Sequence, residues 1–111
     1  MTKQKTLEDV RAYVERIAQR NEWQLHSNFD GTLDLLVEGL QANFNRLSYF
    51  NCPCRDSQED PKLDRDIICP CRYAEPDIKE YGHCYCALFF APDFDFARPI
   101  SMIPERRPEP E

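Results

Sequence analysis

Apolar residues recur at helical spacing in two early stretches of the chain. Leu7, Val10, Val14, Ile17 and Ala18 fall on one face, while Glu8, Arg11, Glu15 and Gln19 occupy the other. This predicts a helix over about residues 7–22. Thr6, with Asp9 three residues on, resembles a capping box at its start. A second stripe, Leu33, Leu36, Val37, Leu40, Phe44 and Leu47, predicts another helix, with Asp30 and Thr32 as alternative caps. Gly39 stands inside it at a cost of roughly 1 kcal/mol relative to alanine, which suggests close packing against a neighbour. The two helices are expected to pair antiparallel as a scaffold. Between them Trp23 to Phe29 is a connection, with Trp23 or Leu25 folding back onto the core. His26 in that connection reads as structural.

Beyond residue 48 the helical periodicity stops and turn signals take over. Asp60-Pro61 and Glu75-Pro76 each resemble a helix start, and Gly82 a helix stop. Short helices are therefore expected over about residues 61–68, burying Leu63, Ile67 and Ile68, and over about 76–81. Tyr49 and Phe50 are candidate shields for whatever follows them. The run Ala87 to Phe90 is short and apolar, and helix and strand are equally open for it. Prolines 99, 104, 108 and 110 make the tail irregular. The fold class expected is a mostly α small domain, one domain over residues 1–111: two longer scaffold helices, then short helices and loops.

Those loops carry all six cysteines, in three C-x-C pairs: Cys52-Pro53-Cys54, Cys69-Pro70-Cys71 and Cys84-Tyr85-Cys86. Fourteen residues separate the first pair from the second, and twelve the second from the third. In an extended tripeptide the first and third side chains share a face. Proline between them fixes φ, removes an amide and stiffens the pair. Stiff, paired sulfurs suit a metal site. Three chemistries compete: three structural disulfides, zinc held by four thiolates, or an iron–sulfur cluster on four cysteines with two left as a redox disulfide. Met1 to Arg11 is polar and charged, with no apolar h-region, so a cytoplasmic setting is expected and stable disulfides are disfavoured. The usual zinc spacing, C-x-x-C, occurs nowhere, and zinc would leave two cysteines unused. Zinc nonetheless stays open, since paired cysteines commonly bind it, while the four-plus-two division accounts for all six. The formal net charge of −6 argues against nucleic acid, and no apolar stretch approaches the length of a membrane span.

The order C-P-C-R, C-P-C, C-x-C, followed by Ala87-Leu88-Phe89-Phe90 and Pro92, resembles the catalytic chain of ferredoxin:thioredoxin reductase. The likeness is most specific over residues 50–92 and extends loosely to the N-terminal helices and to Pro104-Glu105-Arg106-Arg107-Pro108. The first spacer is shorter and the second longer than in the chloroplast type, and Tyr85 stands where that type has histidine. The chain therefore resembles a prokaryotic-type relative. The resemblance implies that Cys52, Cys69, Cys71 and Cys84 ligate a [4Fe–4S] cluster. It implies that Cys54 and Cys86 form the redox disulfide, with Cys54 attacking and Cys86 on the cluster side. It implies ferredoxin as the one-electron donor, a thioredoxin or glutaredoxin-like protein as substrate, and a possible second subunit. His83, just before Cys84, is the candidate to replace the family's histidine in proton transfer; the alternative is a merely hydrogen-bonded histidine at a helix end. Arg98, Arg106 and Arg107 are expected to pair with nearby carboxylates, the alternative being a dock for an acidic electron donor. A zinc-binding interaction module without redox activity is the competing function.

Overall fold

The computed structural model describes residues 4–108. Met1–Lys3 and Glu109–Glu111, including Pro110 of the expected irregular tail, lie outside the described residues. Helix α1 spans Leu7–Asn21. Its start is the expected capping box: Thr6 Oγ1 accepts from the Asp9 amide, and Asp9 accepts from the Thr6 amide. Val10, Val14, Ile17 and Ala18 are buried, as their spacing required. Glu22 closes the helix in a left-handed conformation.

Helix α2 spans Thr32–Leu47 and buries Leu33, Leu36, Val37 and Leu40. Neither expected cap holds its place. Gly31, at φ 83, is the capping residue and supplies no side chain; Asp30 instead accepts from the Thr32 amide. The two helices run antiparallel. Lys5, before α1, bonds Asn45 and Gln41 near the end of α2, while Arg11 pairs with Asp34 near its start. The close approach expected at Gly39 exists. A Cβ there would stand 3.1 Å from Pro53 Cβ, so glycine lets α2 lie directly against the first cysteine pair.

Residues 24–25 form strand β1 (Gln24–Leu25), which pairs antiparallel with β2 (Phe89–Phe90). The open reading of Ala87 to Phe90 thus resolves as strand at its end. Trp23 and Leu25 pack against the core, and Trp23 lies 5.4 Å from the Phe89 ring.

The expected helix over 61–68 is only a 3-10 turn at Arg65–Ile67. Leu63, expected to be buried, is 54 % exposed, whereas Asp64 is fully buried. Asp64 draws the loop inward because it accepts from the Gln58 amide and from the Ser57 and Tyr49 hydroxyls. Three donors let a carboxylate sit where an apolar side chain was expected. Helix α3 covers Ala74–Tyr81, two residues earlier than the start signal suggested. Pro76 is its third residue, still within the first turn where a missing amide is harmless. Gly82 ends it at φ 91, as expected.

The candidate metal and redox centre

Two short bridges bring the cysteine pairs together. Asn51 bridges Ile68 antiparallel, with the Cys52 amide donating to Ile67 O at 2.8 Å and the Cys69 amide to Phe50 O at 2.7 Å. This sets the first pair beside the second. His83 bridges Phe90, and the Cys84 amide donates to Phe89 O at 3.0 Å, which seats the third pair against β2. Both scaffold helices tie in directly: the Tyr13 hydroxyl of α1 donates to the Cys69 carbonyl at 2.6 Å, and Asn43 Nδ2 of α2 to the Asn51 carbonyl at 2.9 Å. A pocket results, walled by Cys52, Cys69, Cys71, Cys84 and Cys86 together with Leu88, Phe89 and Tyr85. Tyr49 and Phe50, expected as shields, do not line it. Phe50 stacks on Tyr13 and Phe44, and the Tyr49 hydroxyl is drawn to Asp64. Leu88, Phe89 and Tyr85 wall the pocket instead.

All six cysteines are free thiols. Cys52, Cys69 and Cys84 are buried, Cys71 and Cys86 half-buried, and Cys54 exposed. Burial pushes the Cys69 and Cys71 thiols up and the Cys84 thiol up to about 12. Neighbouring sulfurs add to this: Cys69 feels Cys84, Cys52 and Cys71, and Cys84 feels Cys71 and Cys52. Cys86 is different, and its Sγ lies 2.7 Å from Cys52 Sγ. Hydrogen bonding with Cys52 and Cys54 raises the pKa of Cys86. The same contacts lower Cys54 and bring Cys52 down to about 7.

Among the described residues, no group of three or more His, Cys, Asp or Glu side chains converges closely enough to hold one metal ion. A tetrahedral zinc with 2.3 Å bonds would need sulfurs about 3.8 Å apart. A four-iron cluster asks less convergence, since each thiolate binds its own iron. Buried thiols around an apolar pocket, disinclined to ionise alone, fit such a group, because metal charge turns a thiol into a thiolate. Cys52, Cys69, Cys71 and Cys84 are the sulfurs that could hold it.

His83 is buried behind this turn, with Nδ1 2.7 Å from the Cys84 carbonyl and Nε2 3.0 Å from the Ser101 carbonyl. It joins the cysteine turn to the C-terminal segment. Two of the three tail arginines follow the ion-pair expectation: Arg106 pairs with Asp77 and Glu80, and Arg107 with Asp66, whereas Arg98 makes no ion pair among the described residues. His26 is buried and accepts from the Asn28 amide, in keeping with a structural role.

One side chain at the site escaped the sequence reading. Arg55 reaches Cys71 Sγ at 3.3 Å and Cys52 Sγ at 3.9 Å, and its far side is held by Glu105. The motif C-P-C-R contained it, but its partner lies fifty positions away.

The family model for the ferredoxin thioredoxin reductase catalytic beta chain matches residues 1–105. The chain belongs to this family. It is thereby a member of an oxidoreductase family. The catalytic chain of ferredoxin-thioredoxin reductase from Synechocystis sp. is 30 % identical over 102 residues, covering 90 % of this chain and 82 % of that one. The Pyropia yezoensis chain of the same name is 30 % identical over 100 residues, covering 87 % and 81 %. The chloroplastic chain of Oryza sativa subsp. japonica is 32 % identical over 95 residues, covering 84 % and 62 %. The chain thus spans less than two thirds of the rice relative.

Proposed function

We propose that the chain takes single electrons from ferredoxin and reduces the disulfide of thioredoxin-like proteins. In this reading Cys52, Cys69, Cys71 and Cys84 hold a [4Fe–4S] cluster. When bound, the cluster would supply storage for single electrons between donor and disulfide. Cys54 and Cys86 do the sulfur chemistry. The observation that carries this is the unequal placing of the six thiols: three buried around one pocket, Cys54 at the surface, and Cys86 against both Cys52 and Cys54. We place the protein in the cytoplasm, where free thiols persist, and treat it as one domain that works alone or with a second subunit.

The steps on this chain balance as thiol–disulfide exchange. Cys54 is exposed and has its pKa lowered mainly by the hydrogen bond from Cys86, so it is the thiolate that attacks. Its sulfur bonds one substrate sulfur, and the substrate's disulfide breaks, releasing the other as a thiolate. Cys86 then attacks the Cys54 sulfur. The Cys54–Cys86 disulfide forms and the second substrate thiol leaves. Two electrons have passed to the substrate, and two from ferredoxin with two protons restore the dithiol. His83, with both ring nitrogens against carbonyls, acts as the anchor of the Cys84 turn.

Trapping tests this assignment. Cys86→Ser, incubated with oxidised thioredoxin, should accumulate a stable mixed disulfide on Cys54, seen by non-reducing mass spectrometry. Cys54→Ser should form little, and both should keep about four irons per chain. An adduct on Cys86 alone would reverse the two roles. Loss of iron in either variant would break the four-plus-two division, and a colourless wild type holding zinc would replace this reading with the interaction module.

A further inference from the structure

Arg55 is a buried cation among sulfurs. Its side chain is 3 % exposed. The turn that carries it is closed by the Arg55 amide donating to the Cys52 carbonyl at 3.2 Å, and Asn51 Nδ2 holds the Arg55 carbonyl at 3.1 Å. The guanidinium lies 4.4 Å over the Tyr85 ring and points Nη1 at Cys71 Sγ, 3.3 Å away. Glu105 takes its other face bidentately, at 2.7 Å to Nε and 2.6 Å to Nη2. Glu105 is no free tail carboxylate. Its segment is fixed by buried Ile103, by Arg106 on Asp77 and by Arg107 on Asp66. The tail motif Pro104-Glu105-Arg106-Arg107-Pro108 is thereby held so that Glu105 sets one negative charge against Arg55.

Two opposite charges at graded distance from the same sulfurs have a consequence. Arg55 touches Cys71, while Glu105 stands one guanidinium further out. Water is excluded on the Arg55 side, so its field is poorly screened. N–H···S bonds and charges behind metal ligands are known levers on reduction potential.

We propose that Arg55 and Glu105 form a charge pair that sets how readily this sulfur site accepts an electron. Arg55 favours uptake by offsetting the incoming negative charge, and Glu105 opposes it from behind. The inference rests on the iron–sulfur reading above. A purely structural clamp predicts something else. Either variant breaks the same Arg55–Glu105 bond, so both would then move the site alike.

The test is an absorbance-monitored redox titration, under argon, of the iron-loaded full chain and its variants at matched iron content. Arg55→Gln should make one-electron uptake about tenfold less favourable, a midpoint lower by about 59 mV. Glu105→Gln should make it about threefold more favourable, the smaller size following from its greater distance. Arg55→Lys keeps the charge while losing the two-pronged bond, and should recover most of the Arg55→Gln shift. If Arg55→Gln fails to hold iron, the sign for Glu105→Gln still decides. Shifts in the same direction, or an unshifted Glu105→Gln, overturn the inference. A wild type that carries no iron overturns the iron–sulfur reading itself, so the two failures are distinguishable.

Discussion

Replacing Gly82 by alanine places a methyl group in two conflicts at once. Gly82 ends α3 at φ 91 and ψ −8, and its amide donates to Ile78 O at 2.9 Å. An L-residue in the left-handed region costs about 1–2 kcal/mol. The new Cβ would also stand 2.9 Å from Phe94 Cδ2 and 3.3 Å from Cε2. Phe94 has little room to retreat, because its ring centroid lies 4.7 Å from Phe90 and 5.2 Å from Phe96. Forcing that ring aside should add about 1–2 kcal/mol, within the usual range for overpacking. The two effects together come to about 2–4 kcal/mol, or a fall in Tm of about 10–20 °C for a domain of this size. The assay is thermal unfolding by far-UV circular dichroism at matched iron content. A double-mutant cycle with Phe94→Leu separates the causes: the collision should return as about 1–2 kcal/mol of coupling, while the backbone part persists. A fall of less than about 5 °C would refute the whole estimate. A strictly additive cycle would refute the collision while leaving the backbone strain.

Tyr13→Phe removes the hydroxyl that donates to the Cys69 carbonyl and should cost about 1 kcal/mol, read as a lower urea midpoint at unchanged slope. Asp64 supplies a pH dependence. Burial opposes its charge, but the Gln58 amide and the Ser57 and Tyr49 hydroxyls outweigh that and hold its pKa below the usual carboxylate value. The stability it contributes is therefore present above the unfolded carboxyl pKa of about 3.9, and is lost as pH falls through the lower folded value. Asp64→Asn should flatten that acid limb; identical acid unfolding profiles for the two proteins would rule Asp64 out as its source.

What could be read in advance was whatever depends on near neighbours in the chain. The stripe Leu7, Val10, Val14, Ile17 locates α1, and the Thr6–Asp9 box locates its start, because both are set within one or two turns. Gly39 announced a close approach but not its partner, since Pro53 arrives from another part of the chain. Leu63 misled for a different reason. Apolar residues are more often inside, but Asp64 has three donors waiting and Leu63 has no pocket, so the loop turned the polar residue inward. Arg55 and Glu105 were both visible as letters, yet their bond joins positions fifty apart and no spacing rule reaches that far.

The cysteine pairs show how local turns alter a reading from strand geometry. Extended C-x-C tripeptides would aim both sulfurs the same way. Here the first and third pairs are turns. The Arg55 amide closes back onto the Cys52 carbonyl around Pro53, and the Ala87 amide onto the Cys84 carbonyl at 2.9 Å, with Ala87 itself left-handed at φ 60. The turns send the sulfurs of one pair into different surroundings. Cys52 is buried and Cys54 exposed; Cys84 is buried and Cys86 half-buried. A disulfide reductase of the proposed kind needs this inequality. A sulfur that holds metal is best kept from solvent, while one that must reach another protein's disulfide has to be accessible. Two residues of separation bring both within the reach of one electron source, and the turn between them gives each its own environment. The middle pair shows the same gradation as the third, Cys69 buried and Cys71 half-buried beneath Arg55, so burial alone does not separate ligand from redox sulfur there; in the proposed division it is the contact with Arg55 that marks Cys71, and the contact with Cys52 that marks Cys86.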